Sequence, residues 1–273
     1  MRTVHFTKMT GAGNDFLVLE NIRRMNPQKL AVSMCARNTG VGADGLLLLE
    51  RSSKADYRMR IINSDGSEAE MCGNGSRCMA AYIVRHKSPK HKIFSLETLA
   101  GIVLGQAHGE KAVVRLIDPK DFEPNIPLKV NGRTIHVSYI DTGVPHTIVF
   151  VDGLKGIDVN SIGRSIRHHE RFKPRGTNVD FVEQLDKDAV AVRTFERGVE
   201  GETLACGTGS VACGIVGFLK AHPKIDSTHK ASMSILTKSG ETLDLSFKLE
   251  KRKISDVWLK GSAKFIAEGD YYV

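Results

Sequence analysis

Glu68–Ser76 reads EAEMCGNGS, and the same pattern recurs at Glu202–Ser210 as ETLACGTGS. Each copy has a glutamate four residues before its cysteine, and the two cysteines lie 134 positions apart (206 − 72) in a chain of 273 residues. One copy therefore falls in each half of the chain. A period of this length predicts two similar domains, each long enough to bury a core of its own.

The similarity of the halves extends beyond the cysteine loops. Tyr57–Asn63 and Val190–Glu196 both alternate between apolar and polar residues, as strands do, and each leads into its loop. Asn63 lies nine positions before its cysteine and Glu196 ten before its own, so the second copy carries one inserted residue. Further turns and strands are predicted on both sides of these segments, at 42–49 and 176–182 and at 96–103 and 239–245.

A helix is predicted directly after each cysteine loop. Ser76–Val84 stops before Pro89, and Ser210–Leu219 stops before Pro223. The second segment is apolar around nearly its whole circumference, which is typical of a buried helix rather than a surface helix. We therefore expect a central helix wrapped by strands in each half. Strands and helices do not alternate regularly, which disfavours a doubly wound parallel sheet.

Composition places the chain among ordinary globular proteins, with 41% hydrophobic and 26% charged residues. No apolar run approaches the roughly 18 residues of a membrane span, and the amino terminus lacks the apolar core of a signal peptide. These features predict a cytoplasmic protein. Its five cysteines are an odd number, and a reducing compartment would keep them as thiols rather than as a disulfide framework.

The formal net charge of +8 raises the question of nucleic-acid binding. The basic residues are scattered apart from short clusters, and only 6% of residues are aromatic, so stacking platforms for single strands are scarce. We favour a solvated basic surface, and predict neither a nucleic-acid nor a membrane partner. A weakly positive field would also attract a dicarboxylate substrate.

Chemistry is predicted at the two duplicated cysteines. Cys72 and Cys206 each precede a Gly-x-Gly-Ser sequence at a predicted helix start, where free N–H groups and the helix dipole favour negative charge. This setting is expected to lower a thiol pKa and to hold a carboxylate. With one thiol on each face of a carbon next to a carboxylate, one could remove a proton while the other returned one, without a cofactor.

The cysteines and the glycine loops are also compared with the patterns of other functions. Cys35, Cys78 and Cys213 lack the duplicated loop and are interpreted as small core residues. No Cys-x-x-Cys or histidine pair at ligand spacing indicates zinc, so no metal is predicted. The loops lack a Walker lysine and a third dinucleotide-loop glycine. A redox-sensing thiol pair stays open as a different class of function.

At these residues the sequence resembles the diaminopimelate epimerases, cofactor-independent enzymes that interconvert LL- and meso-diaminopimelate in the synthesis of bacterial lysine and cell-wall precursors. The resemblance covers nearly the whole chain. It is carried by Lys8–Phe16 (KMTGAGNDF), Gly40–Gly45 (GVGADG), Asn63–Gly66 (NSDG), Met71–Gly75 (MCGNG), Gly176–Val179 (GTNV), Glu196–Gly198 (ERG) and Ala205–Gly209 (ACGTG).

The resemblance implies a role for each candidate site residue. Cys72 and Cys206 would be the acid/base pair, with His146 and Glu196 as supporting groups. The substrate amine would lie near Asn14 and Glu196, and the distal amino-acid end would be recognised by Asn63, Asn178 and Arg197. The carboxylate at the reacting carbon would be held by the backbone N–H groups of Gly73, Asn74, Gly207 and Thr208.

Simpler interpretations exist for several of these residues when they are taken without the family. Asn14 and Asn63 could be turn formers, and His146 could be a surface histidine. Glu196 and Arg197 could be a solvated ion pair. The chain also departs from the family pattern: Val144 replaces the asparagine of Gly-Asn-Pro-His, one residue is inserted between Glu196 and Cys206, and Gly261–Ala263 reads Gly-Ser-Ala instead of Gly-Pro-Ala.

The sequence therefore predicts an α/β protein of the α+β type with two pseudo-symmetric domains. Each is expected to be a strand-rich, barrel-like sheet around a central helix, with the active site in the cleft between the domains. The predicted domains are 1–118 and 119–263, and by resemblance residues 264–273 return to the first and the enzyme is a homodimer. The predicted substrate is a small diamino dicarboxylate. A related two-cysteine proline or hydroxyproline racemase is the alternative among enzymes.

Overall fold

The computed structural model describes residues 2–22, 25–89, 91–225, 228–251 and 253–273. The chain divides into two compact units. The first comprises Met1–Arg115 and Lys260–Val273, and the second comprises Leu116–Leu259. The domain boundaries taken from the sequence stay a prediction.

In chain order, the first unit begins with β1 (Thr3–Gly11), β2 (Asn14–Glu20), α1 (Pro27–Cys35), β3 (Gly45–Glu50), β4 (Tyr57–Asn63), β5 (Glu68–Ala69), α2 (Gly73–Lys87), β6 (Phe94–Thr98), β7 (Gly101–His108) and β8 (Lys111–Arg115). The elements that follow are β9 (Lys120–Val130), β10 (Arg133–Asp141), β11 (Pro145–Phe150), α3 (Val159–Arg167), β12 (Asn178–Asp186), β13 (Ala189–Glu196), β14 (Gly201–Thr203), α4 (Gly207–Ala221), β15 (His229–Leu236), β16 (Thr242–Glu250), β17 (Lys253–Ser262) and β18 (Lys264–Tyr272). Two 3-10 turns, Leu154–Gly156 and Glu170–Phe172, flank α3.

Six consecutive strand pairings of the first unit, from β18–β1 to β6–β7, have counterparts in the second. In the first unit β18, β1, β2, β3, β4, β6, β7 and β8 pair in that order, and only β2–β3 and β4–β6 are parallel. In the second unit β9, β10, β11, β12, β13, β15 and β16 pair in the same way, with β11–β12 and β13–β15 parallel. The short strands β5 and β14 pair with β4 and β13. The predicted pseudo-symmetric, strand-rich fold is confirmed.

Each unit also has the predicted buried helix directly after its cysteine. Both α2 and α4 contain 15 residues, and every residue from Gly73 to Ile83 and from Gly207 to Phe218 is buried. Burial on all sides explains why α4 is apolar around its circumference, since an exposed face would require polar residues. The strand predictions before the loops are also confirmed, because β4 is Tyr57–Asn63 and β13 covers the predicted 190–196.

The glutamates of the repeat have a structural role that is the same in both units. Glu68 accepts two hydrogen bonds from Arg60, at 2.7 and 2.8 Å, and Glu202 accepts two from Arg193, at 2.6 and 3.1 Å. In each unit the arginine lies on the strand before the loop. These bidentate, charge-assisted pairs fix the start of each cysteine loop to the sheet.

The three cysteines interpreted as core residues are buried on helices, with Cys35 in α1, Cys78 in α2 and Cys213 in α4. Burial raises the pKa of the Cys35 thiol to about 12, with the Asp15 carboxylate adding to the rise. Burial likewise raises the pKa of the Cys213 thiol well above its usual value. Both thiols are therefore neutral at physiological pH, as small core residues should be.

Among the described residues, no helix has the length and apolar character needed to cross a membrane.

Candidate active site

The first unit presents a thiol at the start of α2. Cys72 is the N-cap residue, with extended backbone angles, and its Sγ accepts a hydrogen bond from the Gly75 N–H at 3.3 Å. Gly73 and Asn74 are the first two helical residues, whose N–H groups have no carbonyl partner within the helix. This is the anion-favouring setting that the sequence predicted for the carboxylate and the sulfur.

Two of the predicted substrate-binding asparagines lie together beside this helix start. The Asn74 side chain donates to the Asn14 Oδ1 at 2.6 Å, and Asn14 donates in turn to the Asp44 carboxylate at 2.8 Å. Behind them, the fully buried Arg77 donates to the Asn74 Oδ1 at 2.8 Å. The side-chain amides of Asn14 and Asn74 are thus held in fixed orientations between the Asp44 carboxylate and the Arg77 guanidinium. Neither Asp44 nor Arg77 was singled out from the sequence.

Asn63 lies at the end of β4, in an exposed turn. Its side chain donates to the Ser67 hydroxyl at 2.9 Å, and its backbone N–H donates to the Ser67 carbonyl at 2.8 Å. The structure therefore shows the turn-forming role that the sequence left open. Its proposed contact with the distal end of a substrate stays a prediction.

The second unit presents the matching thiol at the start of α4. Cys206 is the N-cap residue, but only 7% of its surface is exposed, and burial raises the pKa of its thiol well above the usual value. The carboxylates of Glu196 and Asp180 add to the rise. The expectation of a lowered pKa is wrong for Cys206, because loss of solvation outweighs the favourable helix start.

His146 is the supporting residue that the structure ties most directly to Cys206. It lies on β11 and is fully buried, which rules out the alternative of a surface histidine. Its Nε2 lies 3.0 Å from the Thr208 Oγ1, which in turn lies 3.4 Å from the Cys206 Sγ. Its Nδ1 lies 2.7 Å from the carboxylate of Asp180, a fully buried residue.

The remaining predicted residues of this unit surround the same histidine. Asn178, at the start of β12, donates to the Pro145 carbonyl at 3.1 Å and accepts from the Arg197 backbone N–H at 2.8 Å. The Arg197 guanidinium donates to the Arg175 carbonyl at 3.3 Å. Glu196 ends β13 and acts electrostatically on Cys206. The structure thus gathers Cys206, Thr208, His146 and Asn178 directly, with Glu196 and Arg197 beside them.

Sequence reasoning missed Asp180 and Thr194 in this cluster. The Thr194 hydroxyl donates to the Asp180 Oδ1 at 2.7 Å, and both residues are buried. One signal was available: Asp180 interrupts the apolar run of β12, VDFV, where an unpaired carboxylate would be very costly. An acidic residue inside an apolar strand predicts a buried polar partner.

Comparison with known proteins identifies the family. The sequence model described as diaminopimelate epimerase matches residues 6–119 and 138–266. The chain belongs to the diaminopimelate epimerase family. It is accordingly an isomerase of the epimerase class. The matched ranges include both cysteine loops and all the residues of the two clusters described above.

Relatives described as diaminopimelate epimerases match most of the chain in sequence. The diaminopimelate epimerase of Aquifex aeolicus is 40% identical over 280 residues, covering 97% of this chain and 97% of its own. That of Archaeoglobus fulgidus is 44% identical over 226 residues, covering 77% of this chain and 79% of its own.

Solved structures with the same fold are more distant in sequence. A phenazine biosynthesis protein of the PhzF family from Bacillus anthracis superposes with a TM-score of 0.75 at 18% identity and covers all of both chains. A hydroxyproline epimerase from Agrobacterium vitis, with trans-4-hydroxy-L-proline bound, gives a TM-score of 0.75 at 15% identity, covering 98% of this chain and 92% of its own. At these identities the likeness establishes the fold of this diaminopimelate epimerase family member and nothing about its substrate.

Proposed function

We propose that this protein interconverts LL- and meso-2,6-diaminopimelate without a cofactor, with Cys72 and Cys206 as the acid/base pair. Membership in the family supports the reaction. The observation that carries the mechanism is the repeat of one arrangement in both units: a thiol at the N-cap of a buried helix, next to the backbone N–H groups of the first helical turn.

The proposed chemistry inverts one carbon by two proton transfers. One sulfur, as thiolate, removes the proton from the carbon next to a carboxylate, and the other, as thiol, donates a proton to the opposite face. The two sulfurs exchange roles in the reverse direction, so each must be able to lose its proton. We therefore propose that the substrate binds with one thiol on each side of its reacting carbon. Exclusion of water from that carbon would leave the two sulfurs as the proton acceptor and donor.

The remaining site residues are proposed to bind the substrate. The backbone N–H groups of Gly73, Asn74, Gly207 and Thr208 would hold the carboxylate at the reacting carbon, because helix starts attract anions. Asn14 and Glu196 would lie near the reacting amine. Asn63, Asn178 and Arg197 would recognise the distal amino-acid end, where the guanidinium suits a carboxylate.

The biological setting follows from the proposed reaction. A diaminopimelate epimerase would serve lysine and peptidoglycan precursor synthesis in the cytoplasm. We further propose that the enzyme is a homodimer, with small-molecule substrates as its ligands.

Incubation of the reduced protein with LL-diaminopimelate in deuterated water tests the proposal. We expect meso product and deuterium at the inverted carbon. Cys72→Ala and Cys206→Ala should each abolish inversion, because a single sulfur cannot serve both faces. Cys213→Ala, which removes a buried thiol from α4, is the matched control and should keep its turnover.

Four results would contradict parts of this proposal. Absence of both deuterium and meso product would exclude the reaction, and near-full turnover by either alanine variant would remove that cysteine from the mechanism. Exchange on proline or hydroxyproline in place of diaminopimelate would favour the racemase alternative. Inactivity toward all three amino acids, together with a reversible disulfide under mild oxidation, would favour a redox-sensing protein.

A further inference from the structure

A continuous line of hydrogen bonds runs from Cys206 into the core of the second unit. It passes from the Cys206 Sγ to the Thr208 hydroxyl at 3.4 Å, to the His146 ring at 3.0 Å and to the Asp180 carboxylate at 2.7 Å. It ends at Thr194, whose hydroxyl donates to Asp180 at 2.7 Å. Every residue of the line is buried.

Neighbouring groups determine the direction of these bonds. The Arg197 backbone N–H needs an acceptor, so the Asn178 atom facing it is Oδ1 and the other is the NH₂ group. That NH₂ group lies 3.5 Å from the His146 Nε2 and 3.1 Å from the Pro145 carbonyl, so Nε2 faces a donor and is itself the acceptor.

The tautomer of His146 follows from this assignment. With Nε2 bare, the neutral ring carries its hydrogen on Nδ1 and donates it to the Asp180 carboxylate. The Thr208 hydroxyl then donates to Nε2 and has a lone pair left to accept the S–H of Cys206. Both hydrogens between the sulfur and the ring, those of the S–H and the Thr208 hydroxyl, therefore point toward the imidazole.

The other unit shows that the fold does not require this polar line. The strand registers match Asp180 with Leu47, because Asp180 pairs with Thr194 across β12–β13 as Leu47 pairs with Ile61 across β3–β4. The same registers match His146 with Phe16. Leu47, Ile61 and Phe16 are all buried.

The positions that carry Asp180, Thr194 and His146 in one unit are thus apolar in the other. Apolar side chains can pack at these positions of the fold. Burying a carboxylate and an imidazole at these positions costs desolvation free energy. Packing alone therefore does not explain why polar residues occupy them.

We propose that Asp180 is a positioning residue that holds His146 as the proton acceptor for Cys206, with the Thr208 hydroxyl as the relay. This inference rests on the proposed function, in which Cys206 must act as a base in one direction. The S–H bond of Cys206 breaks as its proton passes to the Thr208 oxygen, while the Thr208 hydroxyl proton passes to the His146 Nε2. The products are a thiolate and an imidazolium, and Asp180 stabilises the imidazolium without gaining a proton.

The relay supplies a positive charge that can stabilise a thiolate at Cys206. The charged groups that act on this thiol are the carboxylates of Glu196 and Asp180, and both disfavour a thiolate. The nearby Cys213 is a buried neutral thiol. An imidazolium two hydrogen bonds away is the compensating positive charge, and it forms only when the thiol has given up its proton.

Four variants test the relay. Asp180→Asn keeps the shape of the side chain but removes the charge that holds the Nδ1–H tautomer. We expect kcat to fall about 100-fold, within the range ascribed to a general base. Thr208→Ala should lower kcat similarly, and Thr208→Ser should restore most of it, because serine keeps the hydroxyl. Glu183→Gln makes the same chemical change three residues along β12, at a carboxylate that caps the Gly153–Leu154 turn, and should leave kcat unchanged.

Two readouts separate positioning from a loss of structure. In Asp180→Asn the ascending limb of the kcat–pH profile should move to lower pH, because the protonated ring, which cannot accept the Cys206 proton, is no longer stabilised by a carboxylate. A partly unfolded enzyme would instead lose activity at every pH. In the wild type, ¹⁵N NMR of labelled His146 should show a protonated Nδ1 and a bare Nε2. The NMR measurement needs no substrate, so it tests the hydrogen-bond line even if the protein does not epimerise diaminopimelate.

The results of these measurements either contradict or support the relay. A bare Nδ1 in the wild type, an unshifted pH profile in Asp180→Asn, or full turnover by Thr208→Ala would overturn the relay. The Nδ1–H tautomer, a shifted profile and rescue by Thr208→Ser would support it. If Asp180→Asn does not fold, the Thr208 variants and the wild-type NMR measurement still decide.

Discussion

Replacement of a glycine by alanine at matched positions of the two units should have opposite consequences. Gly75 and Gly209 are both the third residue of their helices, so the gain in helix propensity, up to about 1 kcal/mol, is the same at each. What differs is the group that the added methyl would meet. At Gly209 it would lie 2.5 Å from the Asp180 Oδ1, and at Gly75 it would lie 3.0 Å from the Leu47 Cδ2.

The two neighbours differ in their freedom to move. Ordinary contact begins at 3.4 Å, so the Asp180 carboxylate would have to withdraw by about 0.9 Å. Thr194 and His146 hold that carboxylate from two sides, each at 2.7 Å, and a withdrawal of this size breaks at least one of these bonds. Loss of a buried hydrogen bond to a charged group costs about 1.5–3 kcal/mol. Leu47 needs to shift only the end of a flexible side chain, which costs less than about 1.5 kcal/mol.

We therefore expect Gly209→Ala to lower the free energy of unfolding by about 0.5–2 kcal/mol after the helix gain is subtracted, and Gly75→Ala to be close to neutral. Urea unfolding followed by far-UV circular dichroism compares the two variants. Trp258, the single tryptophan, lies in the second unit and reports unfolding of that unit by fluorescence. Equal destabilisation by the two alanines, or a larger loss at Gly75, would refute the view that Asp180 is rigidly held.

Two further predictions concern the repeated ion pair and the buried thiols. Glu202→Gln should lower the free energy of unfolding by about 1.5–3 kcal/mol, because it leaves two cations, Arg193 and Lys238, facing a neutral amide. Glu68→Gln should lower it by less, since Glu68 is more exposed. Equal losses in urea titrations of the two variants would contradict this ranking. In the wild type, burial raises the pKa of the Cys213 thiol, so above pH ~8.5 the unfolded thiol loses its proton while the folded thiol keeps it. The free energy of unfolding should therefore fall with rising pH, by up to about 1.4 kcal/mol per pH unit for this group. Cys213→Ala should remove that component, and an unchanged slope between pH 9 and 10.5 would show that the thiol ionises in the folded protein.

The regular elements around the cysteines were predictable because their signals are local. Alternation of apolar and polar residues places β4 at Tyr57–Asn63, as observed, and an apolar circumference followed by a proline places α4 before Pro223. The repeat supplied a second, independent copy of each signal. Predictions about local chain geometry therefore held to within a few residues.

The line of hydrogen bonds from Cys206 to Thr194 was harder to predict from the sequence, because its residues lie on separate strands and at the start of a helix. His146, Asp180 and Thr194 lie on β11, β12 and β13, and each alone has an ordinary explanation at its position. Only the strand registers bring them into contact. The role of Glu68 is similar, since its arginine partner lies eight residues away on the neighbouring strand.

By itself the sequence determined that two thiols stand at two helix starts in two similar domains, because a period, a glycine loop and a helix pattern are all properties of contiguous residues. Only the tertiary structure decided how the two thiols differ. A helix start favours a thiolate wherever it occurs, but burial at Cys206 reverses that preference, and burial depends on what the rest of the chain places around the sulfur. The same packing put an apolar Leu47 beneath one helix and the charged Asp180 beneath the other.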